Sequence, residues 1–118
     1  MRGQEILAGL SGALSIVAGA YGVHGATGHA ADLFGTGSHY QLVHAVAAVA
    51  VLQRPLGRFA SWCFLVGSLL FALAIYALAL GGPHWIGAVP PFGAAGMIIG
   101  WLAIAIGAFQ KSSPARGG

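Results

Sequence analysis

Four apolar runs, separated by short polar stretches, organise the chain. The first goes from Ile6 to about His24, long enough to cross a hydrocarbon core about 30 Å thick as a helix. The second opens in the polar stretch from Gly35 to Gln41 and continues from Leu42 to Leu52. Its strictly apolar part would rise only about 17 Å, so a helix that spans must start near Thr36. Phe59 to Leu80 forms the third run, with Gly67 and Ser68 its only small or polar breaks before Ala72. Pro90–Pro91 opens the fourth, which ends near Phe109; proline at a helix start forfeits no intrahelical hydrogen bond. In lipid the backbone must satisfy itself, and runs of this length do so as helices. The pattern predicts an all-α, polytopic membrane protein. It is a four-transmembrane-helix bundle in one integral domain, residues 1–118, with helices at about 5–25, 36–53, 59–80 and 90–110.

Composition sharpens this picture and excludes others. Only 6% of residues are charged, where about 25% is usual for a soluble domain. The hydrophobic fraction is 58% before the 20 glycines are counted. A soluble fold this small could not cover such a composition with polar surface. A secreted disulfide scaffold, a nucleic-acid binder and a water-soluble enzyme are therefore excluded. The lone Cys63 lies within an apolar run and reads as a packing residue.

Charge also sets orientation. Arg2 precedes the first helix, Arg54 and Arg58 lie between the second and third, and Lys111 and Arg116 follow the fourth. All 5 basic residues thus fall on one side of a four-helix chain. The opposite loops, Gly25–Gly35 and Gly81–Val89, hold none. By the positive-inside rule both termini face the cytoplasm. Met1–Arg2 and the run ending Ala18–Gly19–Ala20 have the outline of a signal peptide, but the glycine spacing favours a packed helix. Trp62 and Trp85 suit interfacial anchoring at opposite faces, whereas Trp101 falls mid-helix and reads as a core or partner contact.

Small residues recur at helical spacing. Ala8, Gly12, Ser15, Gly19, Gly22 and Ala26 mark the first helix; Gly93, Gly96, Gly100, Ala103 and Gly107 mark the fourth. Such stripes let backbones approach closely where lipid supplies no hydrophobic drive. Whether they meet within one chain or between chains stays open at this level.

The motif Gly19–Ala20–Tyr21–Gly22–Val23–His24 resembles the Gly-Ala-aromatic-Gly-x-His signature that ends the first helix of domain-of-unknown-function family 423. These are small bacterial inner-membrane proteins related to the animal transmembrane protein 256. Tyr40–Gln41 with His44 resembles the family's Tyr-Gln-x-x-His motif, and Leu70–Phe71 through Tyr76 its third-helix pattern. Pro91, Gly93, Gly100 and Trp101 resemble its fourth-helix pattern. The likeness covers about residues 5–110. It departs at Ala72–Leu73–Ala74, where members tend to carry Ser-Gly-Ser, and at Ala94, which replaces a glycine. The resemblance implies four helices and supplies no chemistry.

Candidate chemistry rests on the histidines. In this topology His24, His29, His39 and His84 lie at or beyond the outer face, and His44 lies inside the outer leaflet. An ionisable side chain within the membrane is a functional candidate by default. The expected site is an outer-leaflet polar cluster of His24, Tyr40, Gln41, His44 and Tyr76. One reading is structural: His24 caps its helix, and His44 hydrogen-bonds across to Ser15, Ser68 or Tyr76. The other is functional, with His24 and His44 handling a metal, haem or quinone, since histidine suits borderline metals. A continuous first helix would, however, point His24 about 160° away from the glycine seam. Glu5 sits at the membrane edge, poorly placed for a proton-coupled exporter. No catalytic triad, metalloprotease motif or phosphate loop is present.

These features predict a non-enzymatic, multi-pass protein, structural or accessory to a membrane complex, with no cofactor and no nucleic-acid partner. Its partners are the lipid bilayer and either further copies of itself or a larger assembly. A metal-, haem- or quinone-handling role and a small oligomeric channel or transporter are the alternatives.

Overall fold

A computed structural model describes residues 2–111. Four long helices follow one another: α1 (Arg2–His24), α2 (Gly28–Ala50), α3 (Gly57–Ala79) and α4 (Pro90–Lys111). A short 3₁₀ turn, His84–Ala88, precedes α4. Among the described residues, α1 from Gly3, α3, and α4 with its leading turn are each long and apolar enough to cross a membrane.

The second helix corrects the sequence reading. It begins at Gly28 rather than near Thr36 and ends at Ala50 rather than near residue 53. The physical reason lies in its inner face. Phe34, Gly37, Gln41, His44 and Ala48 are buried at alternating three- and four-residue spacing. His29, Asp32, Gly35, Thr36 and His39 occupy the exposed side and hide that regularity. Phe34 anchors the added turns: Tyr21 meets it edge-on at 5.0 Å and Tyr76 stacks on it at 5.4 Å. The expected loop from Gly25 to Gly35 shrinks to Gly25–Thr27, closed by Gly28 at φ +58°, a conformation glycine adopts without strain.

Neighbouring helices run antiparallel. A side chain added at Gly12 would meet Ala45, at Gly19 Ser38, and at Gly22 Phe34, so the glycine stripe of α1 lies on α2. The fourth-helix stripe lies on α3. Gly93 and Gly96 sit against the backbone at Gly67, and Gly100 against the Phe64 ring. Both stripes are thus used within the chain. α1 pairs with α2, α2 with α3 and α3 with α4, but α1 and α4 share no comparable seam. The bundle is an open arrangement around α3, not a closed ring of four.

The ends are also defined. Gln4 donates to the Arg58 carbonyl at 3.1 Å, and Gly107 packs on Pro55, so the start of α1 and the end of α4 join the α2–α3 turn. The chain positions of Arg2, Arg54, Arg58 and Lys111 therefore share one end. Arg116 lies outside the described residues, as do the side chains of Arg2 and Lys111.

Candidate functional site: a mid-bundle polar and aromatic core

Among the described residues seven polar side chains are buried: Gln4, Ser11, Ser15, Gln41, His44, Ser61 and Ser68. Three of these lie on the α1 seam, where Gln4, Ala8, Ser11, Ser15, Ala18 and Gly22 are buried at steps of four and three. Gln41 ties three helices together. The Tyr76 hydroxyl donates to its Oε1 at 2.7 Å, and its Nε2 donates to Ser11 Oγ at 3.1 Å. Ser15 instead donates to the Gly12 carbonyl of its own helix at 2.6 Å.

His44 has a different set of neighbours. The Trp101 indole N–H donates to its Nε2 at 3.0 Å, and its Nδ1 lies 2.7 Å from the Tyr40 carbonyl. An indole nitrogen can only donate, so Nε2 is unprotonated; Nδ1 then carries the proton and donates to Tyr40. Geometry fixes one neutral tautomer with both nitrogens occupied. Aromatic rings close around it: Phe64 at 5.4 Å, Trp101 at 5.8 Å and Tyr40 stacked at 6.3 Å. Phe64 and Trp101 are themselves 4.5 Å apart.

The expected five-residue cluster forms only in part. Gln41 and Tyr76 bond directly, and His44 joins Tyr40 through its backbone carbonyl and ring stack. His24 stays out. It is exposed at the end of α1, while the residue next to His44 abuts Gly12, about 18 Å back along that helix at 1.5 Å per residue. The two imidazoles therefore make no shared site, and the His44 lone pair that a metal would need already accepts from Trp101. Among the described residues no three His, Cys, Asp or Glu side chains gather as a metal site. His44 is also deeper than expected. The early start of α2 puts it about 24 Å from Gly28 and about 9 Å from Ala50, past mid-helix.

Sequence reasoning missed Ser11, Phe34 and the Trp101 partner. The first two carried a signal: Ser11 and Phe34 each fall on a run of alternating four- and three-residue steps. The third did not, because 57 residues separate Trp101 from His44 and no local spacing links them.

Comparison with known proteins finds relatives along most of the chain. The family model described as "Protein of unknown function (DUF423)" matches residues 18–94. A UPF0382 membrane protein of Haemophilus influenzae is 33% identical over 116 residues, covering 91% of this chain and 94% of its own length. One from Bacillus subtilis is 31% identical, covering 89% and 94%, and one from Staphylococcus saprophyticus is 27% identical, covering 89% and 95%. No solved structure matches the chain. With its apolar helices and these relatives along nearly its whole length, the chain is a membrane protein and belongs to the DUF423 family.

Proposed function

We propose that the protein spans the bacterial plasma membrane four times, with both termini cytoplasmic, and serves as a structural or accessory subunit of a membrane assembly rather than as an enzyme. The observation that carries the reading is the state of His44. The ionisable side chain at mid-bundle spends both nitrogens on internal hydrogen bonds, which suits a packing role and leaves no lone pair open to a metal. Gln41 is spent in the same way. Support for the fourth span comes from α2, which matches its neighbours at 23 residues and packs against α1 and α3. Orientation is supported by the basic positions gathered at one end.

Two measurements test this. A reporter active only in the cytoplasm should work when fused after Gly118 and fail when inserted near Thr27 or Gly82. Activity at Gly82 would overturn the orientation, and termini on opposite sides would remove α2 as a span. Purification at native expression should bring down a stoichiometric membrane partner or further copies of the chain. Recovery as a lone chain would sink the accessory role.

A further inference from the structure

Between α2 and α4 lies a cleft of about 310 Å³ that no hydrogen bond of the core occupies. Tyr40 and His44 of α2, Phe71 of α3 and Trp101 of α4 line it. Ala94 and Ile98 flank it on α4. It exists because α2 and α4 both pack on α3 yet share no continuous seam. Its lining residues Tyr40, Ile98 and Trp101 are 43%, 57% and 45% exposed, so in a bilayer the cleft opens to lipid. We infer that this cleft binds the ring of a quinone-type lipid, a planar carbonyl-bearing headgroup whose hydrocarbon tail stays in the bilayer.

Three features select that chemistry. The lining is aromatic: Tyr40 and Phe71 meet edge to face at 5.0 Å, and His44 and Trp101 edge to face at 5.8 Å. Aromatic side chains favour an aromatic-like ring, as such contacts add to area burial alone. The volume sits at the low end of the ~300–1,000 Å³ typical of small-ligand pockets, and the cleft runs only about 10 Å from Ala94 to Trp101. One substituted ring fits; a porphyrin or a fused four-ring body does not. The third feature is polar. Tyr40 lies at mid-helix, 43% exposed, and its hydroxyl forms no hydrogen bond to another described residue. A carbonyl acceptor entering from lipid would satisfy that donor where water cannot. The binding inference goes beyond the accessory role and does not rest on it.

The test uses Trp101 as its own reporter. In detergent-purified full-length protein carrying Trp62→Phe and Trp85→Phe, titration with a decyl-tailed benzoquinone should quench Trp101 emission saturably at one equivalent. Ile98→Phe blocks the mouth from a lipid-facing position that is 57% exposed, so melting should be unchanged while binding weakens about tenfold or more. Tyr40→Phe removes one hydrogen bond and should weaken binding about three- to tenfold. Decanol, the tail without the ring, should not reverse quenching. Linear, non-saturating quenching would overturn the inference. So would saturation indifferent to Ile98→Phe, or full reversal by decanol, which would make the cleft an acyl-chain groove.

Discussion

The two sides of α3 are packed by opposite means. Toward the α1–α2 hairpin it presents Tyr76, and polar bonds cross the contact: Tyr76 to Gln41, which itself bonds Ser11 of α1, and Gln4 to the Arg58 carbonyl. Toward α4 it presents Gly67, and the contact is a close approach of backbones. A Cβ built on Gly67 would lie 2.8 Å from the Gly93 carbonyl and 2.9 Å from the Met97 amide. Lipid is as apolar as leucine, so neither side gains from a hydrophobic drive. One side gains from interhelical hydrogen bonds and the other from dispersion across a tight seam. The two differ in tolerance. A hydrogen bond in a membrane bundle contributes a modest amount, about 0.6 kcal/mol on average, and its loss leaves the helices where they were. A backbone seam has no flexible atom that can move aside.

The largest effect should therefore come from the glycine side. Gly67→Leu or Gly93→Leu forces bulk against main-chain atoms of the facing helix, and overpacking typically costs ~1–3 kcal/mol. Gly100→Leu meets the Phe64 ring and the Cys63 Cβ instead of main-chain atoms, and should cost less than Gly67→Leu. Ile98→Leu, on the exposed face, is the matched control and should be silent. Thermal melting in detergent reads all four. Equal melting of Gly67→Leu and Ile98→Leu would show that α4 is not seated on that seam.

Next comes the polar side. Gln41 is fully buried and uses both ends of its amide, so Gln41→Leu removes two interhelical bonds. At about 0.6 kcal/mol each, the expected loss is on the order of 1 kcal/mol. Gln41→Glu keeps the shape but places a charge in the bundle, and should cost more than leucine does. A leucine variant as damaging as Gly67→Leu would collapse the contrast between the two sides, because hydrogen bonding would then dominate both.

Legibility in the sequence follows the same division. Apolar run lengths located α1, α3 and α4 closely, since lipid-facing positions on those helices are themselves apolar. For α2, read from about residue 36, only the first turns escaped, because polarity sits on the exposed side of its first half, where His29, Asp32, Thr36 and His39 dilute any average taken along the chain. Its buried steps at Phe34, Gly37, Gln41 and His44 would have revealed it. The glycine stripes on α1 and α4 were visible, but not what they face. Gly67, the reciprocal partner, looks like an isolated break in an apolar run, and only packing shows it opposite Gly93 and Gly96. The polar cluster was half legible. Tyr40, Gln41, His44 and Tyr76 were found by type and spacing, whereas the exclusion of His24 depends on where α2 begins.

The smallest effect is the coupling within the contact that crosses from one side to the other. Trp101 reaches from the glycine-packed helix to His44 on the polar-stitched hairpin. Trp101→Phe leaves His44 Nε2 without its donor, and His44→Leu leaves the indole N–H without its acceptor; each should cost roughly 1 kcal/mol or slightly more. Replacing both removes the unmet polar groups together, so the double variant should melt above the sum of the single losses. The coupling expected in such a cycle is about 0.6 kcal/mol and at most near 1.7. His44→Gln separates a hydrogen bond from ring packing, because an amide still offers an acceptor to the indole but cannot stack on Tyr40 or meet Phe64 edge-on. Glutamine should therefore recover part of the leucine loss and not all of it. Zero coupling in the cycle would mean that the indole and imidazole are merely adjacent. The fixed tautomer of His44, and the structural role drawn from it, would then lose their basis.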